Sequence, residues 1–270
     1  MSATSSPERP IAVIKLGGSI LTRPKAYRRA ALFVRNTLAA APTERLVIVV
    51  SAQEGTTDTL ERSARAIVQE PTRAALDLLW STGEIRSVAL LAMHLQALGV
   101  AAAPLNIHEA WLTLAETGRD AGRIQLHSGR LCGVLARHSV AVVPGFLATD
   151  STHAIVSLGR GGSDLTAVLL AEGLRACRCE LIKDVPGYFT ADPHRYPAAR
   201  HISQLSFAQA LKLAEEGCDL VQRTAIETAS RSGLPLVIRS VRNKAKVSQI
   251  SNREIISLSA ATDAAEAVAS

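Results

Sequence analysis

The chain has 270 residues, which is enough for one large domain or two small ones around a sizeable core. Hydrophobic residues make up 47% and charged residues 20%, which excludes a wholly disordered chain, and no uncharged apolar run reaches the length of a membrane span. The net charge is +6, but the basic residues are scattered and only nine side chains are aromatic. We therefore expect an anionic small-molecule substrate, and neither nucleic acid nor a membrane as a partner.

The two ends of the chain are expected to be flexible. Residues 1–9 are polar and lack the apolar stretch of a secretion signal, so they predict a short leader on a cytoplasmic protein. Residues 259–270 are rich in alanine and predict a flexible tail, which leaves one domain at 10–258. The four cysteines form no CxxC pair and the seven histidines lie apart, so no protein-held metal is predicted.

Strands and helices are predicted to alternate along the chain. The apolar and β-branched runs predict strands at 11–16, 46–50, 100–106, 139–143, 154–158, 179–182 and 236–239. Helical spacing of apolar residues predicts helices at 25–41, 58–70, 73–98, 165–175, 206–216 and 222–232. The polar segment 184–203, which contains Pro and Gly, is expected to be a long ordered loop. This order predicts an α/β fold with a mostly parallel sheet and no second domain.

The first segment whose residues predict ligand binding lies at the end of the first strand. Lys15 is followed by Leu16, Gly17, Gly18 and Ser19, so a lysine is delivered to a turn whose bare backbone can approach a ligand closely. Backbone N–H groups in such a turn bind phosphate oxygens, and Lys15 adds a positive charge. Taken alone, an ordinary strand-to-turn junction explains the segment equally well. The GxxxxGK[ST] pattern of a Walker loop is absent.

The second segment, at 159–164, holds three glycines, Arg160 and Asp164 directly before a predicted helix. The glycines leave N–H groups free at the positive end of the helix, and the guanidinium of Arg160 can hold a carboxylate bidentately. Asp164 lies where either a helix N-cap or a carboxylate that organises cations is expected, and the two interpretations are compatible. Thus this is the strongest local signal of an anion-binding site.

Three weaker segments lie at other predicted junctions. Glu84 follows Ser-Thr-Gly, which we interpret as a small-residue turn whose acid binds an ammonium group, although a surface carboxylate is the simpler explanation. Ser51 and Thr57 follow a buried strand, where α/β sheets bind ligands, unless they form an ordinary turn. Tyr188 and Phe189 follow another strand and either flank a purine or pack in the core.

In chain order, these segments resemble the motifs of aspartate kinases in the amino acid kinase family. The matching motifs, within residues 11–256, are KLGGS, SAQEGTTDTL, STGE, GRGGSDLTA and KDVPGYFTADP. The resemblance is to the catalytic domain alone, without the regulatory ACT domains. It implies a three-layer α/β/α sandwich around a mostly parallel central sheet, with ATP over one half and the amino acid over the other.

The resemblance also implies a reaction: MgATP phosphorylates the side-chain carboxylate of L-aspartate to give 4-phospho-L-aspartate. No general base is needed, because a carboxylate is already ionised at neutral pH. The alternatives are a kinase of the same fold for an aspartate derivative or glutamate, and a non-catalytic partner subunit that binds an amino acid or nucleotide. A homodimer is expected, with room for a separate regulatory or pathway partner.

The residue roles that the resemblance implies fall into three groups. The catalytic residues are Lys15 and Asp164. The ATP-binding residues are Gly17, Gly18, Ser19, Lys183, Asp184, Tyr188, Asp192 and Arg223. The residues that bind the acceptor are Ser51, Thr57, Glu84, Arg160 and Ser163, with Glu84 on the α-ammonium group and Arg160 on the α-carboxylate.

Several positions depart from the family pattern. Asp219 stands where a lysine usually faces the nucleotide, so ATP binding is expected to rely on Lys183 or Arg223. Lys183 itself takes the place of a threonine, and Glu54 adds an acid to the acceptor loop. Asp219 motivates the non-catalytic alternative, while Glu54 motivates an acceptor other than free aspartate.

Overall fold

A computed structural model describes residues 9–110, 112–114, 124–159, 161–191, 196, 198–218, 220–241 and 246–252. Its helices are α1 Pro24–Ala40, α2 Thr56–Arg65, α3 Arg73–Ala97, α4 Ile107–Ala110, α5 Ser128–Arg137, α6 Gly162–Gly173, α7 Phe207–Glu215 and α8 Arg223–Ser232. The strands of the first half are β1 Ile11–Leu16, β2 Arg45–Val50, β3 Ala102–Pro104, β4 Leu112–Leu114, β5 Ile124–Leu126 and β6 Val140–Pro144. The remaining strands are β7 Leu147–Thr149, β8 Ile155–Ser157, β9 Arg178–Lys183, β10 Tyr188–Phe189, β11 His201–Ile202, β12 Gln204–Ser206, β13 Leu236–Ser240 and β14 Val247–Ser251.

The central sheet has eight strands in the order β12-β14-β13-β9-β1-β2-β6-β3. Every neighbouring pair is parallel except β13 and β14. Both β1 and β2 lie inside the sheet and are buried on both faces, which explains their nearly continuous apolar sequences. The predicted mostly parallel sheet is therefore confirmed.

Two hydrophobic cores lie on opposite faces of this sheet. Along β1, Ile14 packs with α1 and α3, whereas Val13 packs with α6 and α8 on the other face. The same alternation along β2 sends Ile48 to one core and Val47 to the other, as the two-residue period of a strand requires. Helices thus cover both faces, and the predicted three-layer α/β/α sandwich is confirmed.

Several helix ends follow the sequence signals, but the end of α2 does not. The capping box of Ser206 and Gln209 is formed at the start of α7, and α8 ends at Gly233, whose φ is +68°. The prediction for α2 reached residue 70, but the helix ends at Arg65. Ile67 beyond it is 88% exposed, so further turns bury no apolar surface, and Pro71 disfavours helix in the preceding residue.

Of the short strands, β3 and β8 were predicted, at 100–106 and 154–158, but most of the others were not. Segment 184–203, predicted to be a loop, contains the β10–β11 hairpin, and β14 was missed. A second sheet, in the order β5-β4-β7-β8, was missed except for β8, because three-residue strands are too short to show a period. Residues 1–8 of the predicted leader and the whole predicted tail lie outside the described residues. In the described part of the chain, no helix is long and apolar enough to cross a bilayer.

Candidate active site

Parallel strands bring the predicted segments together at one edge of the central sheet. Leu16, the last residue of β1, lies opposite Val50 of β2 and Ile182 of β9. The backbone N–H of Ser51 donates to the carbonyl of Leu16 at 3.1 Å, so the loop after β2 lies directly beside the turn after β1. The carboxyl ends of parallel strands are where α/β sheets bind ligands, which makes this edge the candidate site.

Asp164 lies between two lysines at this edge. Its Oδ1 lies 2.8 Å from Nζ of Lys15, and its Oδ2 lies 2.8 Å from Nζ of Lys183. The backbone N–H of Gln222, just before α8, also donates to Oδ2 at 3.3 Å. The N-cap of α6 is Gly161, with φ +77°, so the interpretation of Asp164 as the N-cap residue is wrong. Instead its carboxylate organises cations.

The electrostatics of this cluster favour an ionised carboxylate between the two lysines. Burial alone would raise the pKa of Asp164, but the charges of Lys15 and Lys183 outweigh burial and hold that pKa at about 2. Burial lowers the pKa of the Lys183 ammonium and the charge of Lys15 adds to this effect, while Asp164 opposes both. Two ammonium groups on one carboxylate leave a net charge of about +1 in a buried site. Such a site suits a ligand with negative oxygens.

The glycines after β1 are required by close approaches. A Cβ atom at Gly18 would lie 3.0 Å from the carbonyl oxygen of Ala52, and one at Gly17 would lie 3.1 Å from Nζ of Lys15. Ser19 donates a hydrogen bond of 3.3 Å from its Oγ to Oδ1 of Asp184, which links this turn to the end of β9. The turn therefore keeps bare backbone next to the Lys15 ammonium group.

A cleft of about 430 Å³ opens beside the turn, and four of the predicted acceptor residues line it: Ser51, Thr57, Glu84 and Ser163. The hydroxyl oxygens of Ser51 and Ser163 lie 2.8 Å apart, so these two side chains, 112 residues apart in sequence, form one polar floor. Gly18 also lines the cleft, which therefore reaches the glycine turn.

Glu84 lies within helix α3, which confirms the helix predicted at 73–98, so the interpretation of Ser-Thr-Gly-Glu as a turn is wrong. The helix continues through Gly83, where a Cβ atom would lie 3.0 Å from Cγ2 of Thr56, and this close contact with α2 explains the glycine. The carboxyl group of Glu84 is 3% exposed, and its Oε2 has no hydrogen-bond partner in the described structure. Burial raises the pKa of Glu84 to about 8, opposed by the N–H of Ala52 and the charge of Lys15. This group can receive a cation.

For two of the predicted nucleotide-binding residues, the structure shows contacts within the protein instead. Tyr188 is 2% exposed and packs in the core, which corresponds to the second of the two interpretations from the sequence. Arg223 is exposed at the start of α8, where it pairs with Glu215 at 3.3 Å and with Glu227 at 2.8 Å. Both glutamates offset the charge of its guanidinium group.

Three of the residues discussed from the sequence, Arg160, Asp192 and Asp219, lie outside the described residues. The structure therefore leaves their predicted roles as predictions.

The sequence analysis missed several cleft residues, among them Arg73, Trp80 and Phe146. Trp80 packs edge-on against Phe146, with ring centroids 5.9 Å apart. The guanidinium of Arg73 lies 5.4 Å from the ring centroid of Trp80. Asp77, which is buried, holds Arg73 at 2.9 Å. The spacing 73, 77, 80 and 84 places these side chains on one face of α3, so helical periodicity was an available signal.

Comparison with known proteins agrees with this arrangement. The profile of the Amino acid kinase family matches residues 10–240. The chain is 39% identical over 195 residues to an aspartokinase of Geobacillus stearothermophilus, covering 72% of this chain and 48% of that protein. It is 40% identical over 196 residues to an aspartokinase of Thermus thermophilus, covering 73% and 48%. The chain thus spans about half the length of these curated relatives.

Solved structures show the same similarity. The structure of aspartate kinase from Synechocystis superposes with a TM-score of 0.76 at 30% identity, covering 92% of this chain and 40% of that one. E. coli aspartokinase III, in complex with aspartate and ADP, superposes with a TM-score of 0.73 at 24% identity, covering 91% and 65%. The second likeness concerns the fold alone. With most of its length matched by the family profile, the chain belongs to the amino acid kinase family.

Proposed function

We propose that the chain transfers a phosphoryl group from MgATP to the side-chain carboxylate of L-aspartate, giving 4-phospho-L-aspartate. One observation carries the proposal: Asp164 holds Lys15 and Lys183, each at 2.8 Å, beside a glycine turn and an acceptor cleft. Phosphoryl transfer depends on alignment and charge neutralisation more than on covalent help from the protein. Two fixed ammonium groups next to bare backbone N–H groups supply both.

The nucleotide half of the site lies over β1 and β9. The phosphates of ATP bind the turn of Gly17, Gly18 and Ser19, with Lys15 on the group in transfer. Lys183, Asp184 and Asp192 border the nucleotide. Tyr188, which packs in the core, and Arg223, which is paired with Glu215 and Glu227, are left out of this group. Mg²⁺ arrives with ATP as part of the substrate, and the described ranges hold no group of three acidic, His or Cys side chains placed for a metal.

The acceptor half of the site is the cleft over β2. The α-ammonium group of aspartate binds Glu84, whose Oε2 is buried without a partner, and Arg160 holds the α-carboxylate. The hydroxyl groups of Ser51, Thr57 and Ser163 orient the side-chain carboxylate toward the phosphate. This carboxylate is ionised at neutral pH and attacks phosphorus directly.

A second candidate function rests on Glu54. This acid lines the acceptor cleft, where it adds negative charge close to an anionic substrate. An acceptor that carries less negative charge than free aspartate, such as a derivative with one carboxylate blocked, avoids that repulsion. The reaction type stays the same under this alternative.

The proposal also includes a cytoplasmic homodimer. Leu78, Ile85 and Met93 are exposed large apolar residues at helical spacing on α3, and such a stripe favours a protein contact over water. A partner subunit that regulates the enzyme remains part of the proposal, and molar mass in solution tests the dimer.

The experiment is a hydroxylamine trap for acyl phosphates across an acceptor panel. The purified chain is incubated with MgATP and, in turn, L-aspartate, aspartate with one carboxylate amidated, L-glutamate and N-acetylglutamate. UMP, whose phosphorylation forms no acyl phosphate, is tested by release of ADP. We expect a hydroxamate with aspartate. A larger signal with a blocked aspartate supports the second candidate, and no signal with any acceptor at saturating ATP supports a non-catalytic subunit.

A further inference from the structure

A groove of about 630 Å³ lies away from the acceptor cleft, between the start of α1 and the end of α3. Its lining consists of Arg23, Pro24, Lys25, Arg28, Arg29 and His94. Apart from the proline, every one of these side chains is a cation or a histidine. The groove and the acceptor cleft share no lining residue, so they are separate cavities.

The cations of this groove have no counter-charge among the described residues. Arg23, Lys25, Arg28 and Arg29 are exposed, and none of them pairs with an acidic side chain in the part of the chain that the structure describes. Other arginines do, for example Arg178, which pairs with both Glu44 and Glu180.

The sequence itself keeps acids away from this surface. Residues 20–43 contain five basic side chains and neither Asp nor Glu. Lys25 lies three residues before Arg28 and four before Arg29, so like charges face each other on the helix, which is unfavourable. The positive end of the α1 dipole adds to the repulsion. A bound anion offsets the repulsion of Lys25 with Arg28 and Arg29, and the repulsion of these charges with the positive end of α1.

Arg29 connects the groove with the edge of the sheet that carries the active site. It also lines a smaller cavity of about 200 Å³ with Ser19, Thr22, Asp184 and Ser240. Ser19 and Asp184 are the hydrogen-bonded pair that links the glycine turn to β9. An anion in the groove therefore lies one arginine side chain away from the proposed phosphate site.

We propose that this groove is a second ligand site, for a small molecule that carries a di- or triphosphate chain. Guanidinium groups present planar forks that match phosphate oxygens, and three of the four cations here are arginines. Four positive charges suit the three to four negative charges of such a chain, and the volume is in the range of small-molecule sites. The lining has no Phe, Tyr or Trp ring for base stacking, which disfavours single-stranded nucleic acid.

The test measures binding and needs no turnover, so its failure is distinct from failure of the proposed function. Inorganic tripolyphosphate is titrated calorimetrically into the full chain at about 0.15 M salt, where loose surface attraction is screened. We expect two sites per chain, one in the groove and one at the glycine turn, where the proposed function places the phosphates of ATP. Arg28→Glu weakens binding at the groove site by about tenfold or more, because two unit charges change inside the groove.

The matched control is Arg35→Glu, which makes the same charge change on the exposed side of the same helix, outside the groove. Arg35→Glu keeps both sites, and Lys15→Ala keeps the groove site while it weakens the one at the glycine turn. Equal loss at the groove site in Arg28→Glu and Arg35→Glu overturns the proposal. A single site that Lys15→Ala removes also overturns it, because the anion then binds only in the active site.

If Arg28→Glu fails to fold, Arg23→Gln replaces it as a milder change. We expect this variant to lose less tripolyphosphate binding, but a measurable amount. Absence of tripolyphosphate binding to the wild-type chain overturns the proposal. Tighter binding of a single-stranded oligonucleotide that depends on Arg28 also overturns it, because the ligand is then a nucleic acid.

Discussion

Lys183 Nζ lies 2.8 Å from Asp164 Oδ2, and this pair joins the end of β9 to the first turn of α6. The sequence suggested Lys183 as a nucleotide contact and Asp164 as a helix N-cap or a carboxylate that organises cations. The structure shows that one carboxylate holds both lysines, since Lys15 Nζ is 2.8 Å from Oδ1. All three groups are largely buried, so each depends on the others for its charged state.

Replacing Asp164 by asparagine is expected to destabilise the fold strongly. The change leaves two buried ammonium groups without a counter-charge, and breaking buried pairs in this way costs roughly 3–5 kcal/mol. Urea unfolding monitored by circular dichroism measures the change in the free energy of unfolding. Asp184→Asn is the control: its carboxylate accepts one hydrogen bond from Ser19 in an exposed setting, so less than about 1 kcal/mol is expected. Equal losses in both variants would show that the lysine pairs contribute little.

Acid should remove the same stabilisation in the wild-type chain. The folded pKa of Asp164 is lowered to about 2, whereas an unfolded aspartate titrates near 3.9. The unfolded chain thus binds the proton first, so the contribution of Asp164 is complete above about pH 4 and is lost as the pH falls toward 2. Urea midpoints between pH 6 and pH 3 should fall more steeply for the wild type than for Asp164→Asn. Parallel slopes would contradict the lowered pKa.

Glu84 predicts a pH dependence of acceptor binding. Burial raises the pKa of the unliganded carboxyl group to about 8, so it is mostly protonated at pH 7. An α-ammonium group favours the carboxylate, so aspartate affinity should rise as the pH increases toward 8, by at most about tenfold per unit, and then level off. Calorimetry in two buffers of different ionisation enthalpy should show proton release on binding. Glu84→Gln should bind weakly, with a flat profile. If Glu84→Gln keeps the pH dependence of the wild-type chain, the group that titrates is not Glu84.

Asp219 predicts weak ATP binding. The family pattern that the motifs resemble has a lysine at this position, so an acid changes the local charge by two units. Near a triphosphate this amounts to a few kcal/mol unless solvent screens it. We expect Asp219→Lys to lower the KM for ATP. Arg223→Ala tests the alternative supplier of charge, and a severalfold rise in the KM for ATP is expected only if Arg223 reaches the nucleotide. Because Arg223 pairs with Glu215 and Glu227, we expect the effect from Asp219→Lys rather than from Arg223→Ala. If neither variant changes the KM, this segment does not line the nucleotide site.

The sequence predicts elements well where a strand or helix buries a regular pattern. The run Leu46–Val50 predicted an interior strand because both of its faces are buried, and Ser206 with Gln209 predicted the start of α7 because capping is local chemistry. The strands of the second sheet have three residues each, and apart from β8 they were missed, because no period can be recognised over that length. Their pairing depends on distant segments, which local patterns do not show.

The candidate site was predictable in its residues but not in its contacts. Lys15, Ser51, Glu84 and Asp164 were all selected from motifs, and the structure brings them to one edge of the sheet. That Asp164 binds Lys183 depends on how α6 packs against β9, which the spacing between them does not encode. Tyr188 was ambiguous because an aromatic residue after a strand suits a purine and a core equally well, and only the packing distinguishes them.

The most direct test of the account is transfer of the γ-phosphate of ATP to aspartate by the wild-type chain and by Lys15→Ala. ATP labelled in its γ-phosphate is incubated with the chain, Mg²⁺ and L-aspartate, and labelled acyl phosphate is separated from ATP and inorganic phosphate. We expect aspartate-dependent label in the wild type and a rate about 10²–10³ lower in Lys15→Ala, because a charge contact to the transition state is lost. Near-wild-type transfer by Lys15→Ala, or no transfer by the wild-type chain at saturating substrates, would contradict the account.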